Sequence, residues 1–166
     1  MKPLLFVFFI TVSAFIIADD MESANADSSE MHFIYPVKGE LAYDFGWEKC
    51  PNGDQIFNKG IGLAADAGSP VMAVMDGEIT MADTNSNYGK FIIITHSNGY
   101  QTFYAYLGSF SVNNGDYVKQ GDKIGEVGNS SSGSPLHFAI FRDGRFLNPN
   151  HLYASVSDTA KLMSIP

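Results

Sequence analysis

Cysteine is nearly absent: Cys50 is the only one. No disulfide can form within the chain, so its fold must rest on packing and hydrogen bonds. A buried structural thiol is the expected state of Cys50, with pairing to another chain or a free thiol as alternatives. Positive charge is scarce as well. Only 10 Lys and Arg stand against 18 Asp and Glu in 166 residues, a formal net charge of −8. No basic patch or arginine run occurs. Such a surface repels phosphate backbones and anionic headgroups, which argues against nucleic-acid binding and electrostatic attachment to membranes. Heptads, long internal repeats and a sustained helical period are also missing after residue 18, which excludes coiled coils and helical bundles.

One long apolar run is present. Leu4 to Ala18 follows Met1-Lys2-Pro3 and stops at Asp19-Asp20. This is a secretory signal peptide in outline, with cleavage after Ala18 or after Ala26 of Ala24-Asn25-Ala26. A membrane span needs about 20 apolar residues, so no stable insertion is expected once the signal is removed. Export follows, to the periplasm or the extracellular space. Residues 19–31 are acidic and rich in Ser and Ala, and read as a flexible leader. The folded domain is expected over 32–154, with a tail over 155–166.

What the domain has in quantity is turn residues. Short apolar runs alternate with Gly, Asn and Asp. Glu48 to Phe57 is expected as a loop. Asp76-Gly77 predicts a hairpin between Val71–Val74 and Glu78–Ala82. Ser97-Asn98-Gly99 predicts a tight turn that pairs Phe91–Thr95 with Tyr100–Leu107 in antiparallel fashion. Arg142-Asp143-Gly144-Arg145 fits a type I′ hairpin. Strands of this length with these turns predict an all-β, antiparallel sandwich or barrel-like domain with little helix.

Pro135-Leu136-His137-Phe138-Ala139-Ile140 reads as a strand. Side chains alternate along a strand, so Pro135, His137 and Ala139 share one face and Leu136, Phe138 and Ile140 the other. His137 is then either a hydrogen-bonded sheet histidine or a metal ligand or catalytic group in a cleft. By the same alternation Tyr100, Thr102, Tyr104 and Tyr106 share a face, and three tyrosines could line a groove or simply pack. His96 is expected to brace its turn through hydrogen bonds, while His32 and His151 are expected at the surface. Asp44, Asp54 and Asp66 have no ligand-like spacing. Gly60-Ile61-Gly62 lacks the Lys-Ser/Thr and the helix of a phosphate loop. Met75-Asp76-Gly77 has no lysine of the kind a lipoyl or biotinyl carrier modifies.

The order of motifs carries a resemblance. It comprises Tyr43-Asp44-Phe45-Gly46-Trp47, then Lys59-Gly60-Ile61 with Ala64-Ala65, Gly68-Ser69-Pro70-Val71 and Asp76-Gly77-Glu78-Ile79. It continues with Tyr88-Gly89-Lys90, Ile94-Thr95-His96-Ser97-Asn98-Gly99-Tyr100 and Thr102-Phe103-Tyr104-Ala105-Tyr106-Leu107. Gly115-Asp116-Tyr117-Val118, Gly121-Asp122-Lys123-Ile124-Gly125 and Leu136-His137-Phe138 complete it. From about Phe33 to Tyr153 the chain resembles the lysostaphin-type, LytM-like zinc metallopeptidases, which cut peptide cross-links of bacterial peptidoglycan. The resemblance implies a LytM domain, a duplicated hybrid motif of antiparallel strands.

It also implies a site, and there the residues depart. The family takes two zinc ligands from His-x-x-x-Asp and a third from the second histidine of His-x-His. The first histidine of that pair and one in Tyr-Ala-His-Leu assist catalysis. Here the corresponding positions are Asn58 and Gly62, Pro135 and His137, and Tyr106. Only the ligand-type His137 is kept. A catalytic zinc needs three protein ligands and an open position, and one histidine does not supply them. No catalytic residue and no zinc cofactor are therefore expected. Asn58, Gly62, Tyr104, Tyr106, Pro135 and His137 would line a vestigial cleft.

The implied function is a catalytically inactive LytM-like domain in cell-wall biology. It would bind peptidoglycan stem or cross-bridge peptides, or regulate a cell-wall hydrolase such as an amidase. The alternative is an active peptidoglycan endopeptidase with an altered zinc site. On this reading His137 is a remnant. Its replacement by alanine should leave stability and binding nearly intact, whereas bulky changes at Gly62 or Tyr106 should disturb binding.

Overall fold

The computed structural model describes residues 33–129 and 135–153. The expected signal peptide and leader, His32, the serine-rich stretch 130–134 and the tail from 154 lie outside the described residues. Twelve strands follow in order: β1 (Glu40–Tyr43), β2 (Gly46–Lys49), β3 (Gln55–Asn58), β4 (Ile61–Ala64), β5 (Pro70–Met72) and β6 (Gly77–Asn85). Then come β7 (Gly89–Thr95), β8 (Tyr100–Phe110), β9 (Tyr117–Val118), β10 (Lys123–Val127), β11 (Leu136–Arg142) and β12 (Arg145–Leu147). Residues 149–153 form a helical turn. No helix among the described residues is long and apolar enough to cross a membrane.

The main sheet runs β1-β4-β11-β8-β7-β6-β9, with β10 joining β8 to β5 and β12 paired to β11. Every pairing in it is antiparallel. The β2–β3 hairpin stands as a separate two-stranded sheet. The all-β antiparallel fold is therefore as the turn punctuation required.

The core is what alternation selects. Ile61 and Leu63 of β4, Ile92 and Ile94 of β7, and Leu136, Phe138 and Ile140 of β11 are fully or almost fully buried. β-branched residues suit such strands because they fill a pleated surface with few lost rotamers. The tight turn after β7 forms, with Asn98 and Gly99 at φ +59° and +75°. So does the last hairpin. Asp143 and Gly144 both have positive φ, as type I′ geometry demands, and Arg142 pairs with Arg145.

Three expectations are corrected. Asp76-Gly77 does not join a hairpin, because β5 pairs with β10 while β6 pairs with β7 and β9. Gly77 is needed for close approach: a β-carbon there would stand 2.6 Å from His96 Nδ1 and Thr95 O. The stretch Glu48–Phe57 is not all loop. It closes the β2–β3 hairpin, tied at its tip by Cys50 N–H to Asp54 O at 2.8 Å. Cys50 sits in that tip half-exposed, so its thiol is not a core residue.

Candidate functional site

β4 lies between β1 and β11, and the register places Tyr43 of β1 and His137 of β11 on either side of Gly62. Adjacent strands are about 4.8 Å apart, so roughly 10 Å separates the two backbones. A tyrosine spans that gap only if nothing rises from the strand between. Gly62 provides the gap: a β-carbon there would overlap the Tyr43 ring. The ring crosses β4 and its hydroxyl lies 2.7 Å from His137 Nδ1.

Both partners are neutral near pH 7. Burial, with the negative charge of ionised Tyr106 and Glu48 adding to it, pushes the Tyr43 phenol up to about 12. Burial holds the His137 imidazole below its ordinary value. Both groups therefore keep their neutral forms, and the 2.7 Å contact is a hydrogen bond between an uncharged phenol and an uncharged imidazole. Phe103 packs edge-on against the imidazole, with ring centroids 6.0 Å apart. His137, expected as a remnant, has a hydrogen-bond partner and a ring contact.

The other predicted site residues are placed as follows. Asn58, at the end of β3, is half-buried. Its Nδ2 donates to Asp44 O at 3.1 Å and to Glu48 Oε2 at 2.8 Å. Asn150 Nδ2 donates to Asp44 Oδ1 at 2.7 Å, so the same aspartate ties the hairpin base to the C-terminal turn. Pro135 precedes β11 and is half-buried. Tyr104 is not a cleft residue. It is completely buried, receives a hydrogen bond from Val74 N–H at 3.1 Å and packs on Phe138.

Tyr106 breaks the alternation that predicted a tyrosine face. Lys90 pairs with Leu107 and Phe91 with Ala105, so Tyr106 is the extra residue of a bulge. Its φ is +64°, a left-handed conformation that costs a non-glycine residue about 1–2 kcal/mol. Bulges re-aim side chains, and this one takes Tyr106 out of phase with Tyr104. The residue stays half-buried beside an open pocket of about 460 Å³ shared with Lys90, Leu107 and Asn129. Strain of this kind persists where the surroundings enforce it, often at sites of function. Tyr106→Gly is expected to match or exceed the parent in stability by about 1 kcal/mol, while losing the wall it contributes to the cleft. Urea denaturation beside a binding assay checks both.

His96 braces its surroundings as expected. Its Nδ1 lies 2.8 Å from Asp76 O and its Nε2 lies 2.7 Å from Thr102 Oγ1. A carbonyl only accepts, so Nδ1 carries the proton of the neutral ring and Nε2 accepts from Thr102. Tyr104 Oη lies 3.2 Å from Thr102 Oγ1 and completes the chain. Burial lowers the His96 pKa, as it does for His137. Each imidazole must therefore take up its proton more readily when unfolded. Their contribution to stability is complete above the ordinary imidazole value near 6.5 and is lost as pH falls below it. Unfolding free energy measured from pH 7.5 to 5 is expected to decline below about 6.5, and less steeply in His96→Gln.

The residues that would answer to the family's zinc do not fit the ion. Gly62 has no ligating atom, Tyr43 occupies the space above it, and Asn58 is committed to Glu48 and Asp44. No group of three or more His, Cys, Asp or Glu that could hold a metal is found among the described residues. The arrangement offers instead a neutral hydrogen-bonded pair, Tyr43 and His137, spanning β4. The sequence reading missed Tyr43, which lies 94 positions from its partner. It also missed the exposed aromatic pair of the β2–β3 hairpin, Trp47 and Phe57, which face each other across the two strands. Phe57 packs edge-on against Trp47 and against Phe45.

Residues 56–149 match the profile of Peptidase family M23. The chain is 41% identical over 92 residues to the DD-carboxypeptidase/endopeptidase Mpg of Neisseria meningitidis serogroup B, which covers 54% of this chain and 21% of that protein. It is 33% identical over 118 residues to the murein hydrolase activator EnvC of Escherichia coli, covering 70% of this chain and 27% of that one. It thus spans about a fifth to a quarter of the length of these relatives. A zinc-containing peptidase from Vibrio cholerae superposes with a TM-score of 0.64 at 28% identity, over 70% of this chain and 39% of that one. The matched span, the identity to these relatives and the strand order lead to one assignment: the chain belongs to Peptidase family M23.

Proposed function

We propose that this chain is a catalytically inactive M23 domain that acts outside the cytoplasm in cell-wall biology. Its cleft takes a peptide segment, either a peptidoglycan stem or cross-bridge peptide or a segment of a cell-wall hydrolase such as an amidase. The reading is carried by one observation, the Tyr43 ring lying over Gly62 and hydrogen-bonded to His137. Peptide hydrolysis by a metal needs a bound water of lowered pKa and a polarised carbonyl. Glycine, asparagine, proline and tyrosine at the implied positions provide neither the ligands nor a base that works near pH 7.

Two relatives frame the choice, one named as an endopeptidase and one as a murein hydrolase activator. The test uses the purified chain with intact sacculi, alone and with an amidase, and zinc is measured on the same sample. Co-sedimentation with sacculi, or faster amidase turnover, is expected without cleavage of cross-linked muropeptides by the chain itself. Zinc-dependent muropeptide cleavage that disappears in His137→Ala would overturn the proposal in favour of an endopeptidase with an altered site.

A further inference from the structure

The Tyr43 ring lies against Gly62 and its hydroxyl against His137, two positions that the resemblance assigns to metal ligands. We propose that Tyr43 is a built-in occupant of the space at these positions. It closes the site to metal and ties β1 to β11 across β4. The inference rests on the reading that the domain works without zinc, and adds which side chain engages those positions.

Three observations that do not depend on one another meet at this point. The register sets Tyr43 and His137 opposite Gly62 from its two sides. Space is the second: three atoms of the Tyr43 ring are the nearest neighbours of any β-carbon added at Gly62. A ligating aspartate at 62 and the tyrosine at 43 therefore exclude each other sterically. Hydrogen bonding is the third. The Tyr43 hydroxyl engages His137 Nδ1 at 2.7 Å, so one of the two imidazole nitrogens is already committed within the protein. A metal bound between strands links them through its ligands. Tyr43 makes the same kind of cross-strand link with one ring and one hydrogen bond. Glycine at 62 and tyrosine at 43 thus form a matched pair, in which the absent side chain leaves the volume that the ring uses.

The test rebuilds the ligands with and without the occupant. Full-length Asn58→His/Gly62→Asp and the same chain carrying Tyr43→Ser are titrated with zinc chloride, and bound metal is counted after dialysis. The triple variant is expected to bind one zinc per chain, at least tenfold more tightly than the double variant that retains Tyr43. Equal affinity in the two would overturn the proposal. Because the double variant could fail to fold, a milder pair is measured beside it. Gly62→Ala should lower the urea midpoint when Tyr43 is present and leave it unchanged in a Tyr43→Ala background. Equal shifts in both backgrounds would show that the ring does not occupy the space. Stoichiometric zinc on the parent chain, lost in His137→Ala, would sink the inactive-domain reading as well. Tight zinc binding by the double variant alone would remove only the role given to Tyr43.

Discussion

Phe138→Ala is expected to destabilise the domain by about 3–5 kcal/mol, the cost of emptying a large aromatic site in a packed core. Phe138 is completely buried in β11, pairs with Ile61 on one side and Tyr104 on the other, and rests against the Tyr104 ring. The surrounding strands are hydrogen-bonded on both sides and have little freedom to collapse into the gap. The residue before it is His137, on the opposite face of the same strand. A loosened β11 would therefore release the Tyr43–His137 contact although neither residue is changed. Thermal unfolding should show a fall in midpoint of roughly 10–20 °C. A change of only a few degrees would mean that the core around β11 repacks.

The second large effect is at Gly62. Gly62→Val should cost about 2–4 kcal/mol, combining the strain of an overfilled site with one lost hydrogen bond. The branched side chain and the Tyr43 ring compete for one volume, and the ring is the group that can swing away. Tyr43 then leaves His137 and becomes exposed, so its phenol should titrate closer to the ordinary value near 10 than to about 12. Ultraviolet difference titration of the tyrosines reads that shift, and urea denaturation reads the stability. A variant that is destabilised while Tyr43 still titrates high would place the strain elsewhere.

The contrast between these two sites explains what the sequence made legible. Phe138 follows from alternation, since a period of two assigns faces along a regular strand. The turns at Asn98-Gly99 and Asp143-Gly144 follow from residues that tolerate positive φ. The motif order identified the family and the positions where its ligands would stand. The resemblance set Gly62 at a ligand position, and nothing in the sequence marked it as the space the Tyr43 ring occupies. Tyr43 reaches His137 across an intervening strand, and no local period encodes a contact of that kind. Tyr104 and Tyr106 were assigned to one face because alternation assumes an unbroken strand, and the bulge at Tyr106 breaks it. Asp76-Gly77 has hairpin chemistry, yet the partners of β6 come from β7 and β9, and tertiary pairing overrides the local signal. The exposed aromatics of β2 and β3 were hidden in a stretch whose Cys-Pro-Asn-Gly-Asp tip reads as loop.

That hairpin gives the molecule an optical reporter of its own. Trp47 is the sole tryptophan and is 72% exposed. It lies on the strand whose Glu48 is felt by Tyr43. Indole emission shifts to shorter wavelength when water around the ring is replaced by apolar contact. A peptide or protein laid on the exposed Trp47–Phe57 face of this hairpin would cover Trp47 and move the emission of the whole chain. Occupancy could then be followed in solution without a label, and an unmoved spectrum on binding would direct attention to another face of the sheet.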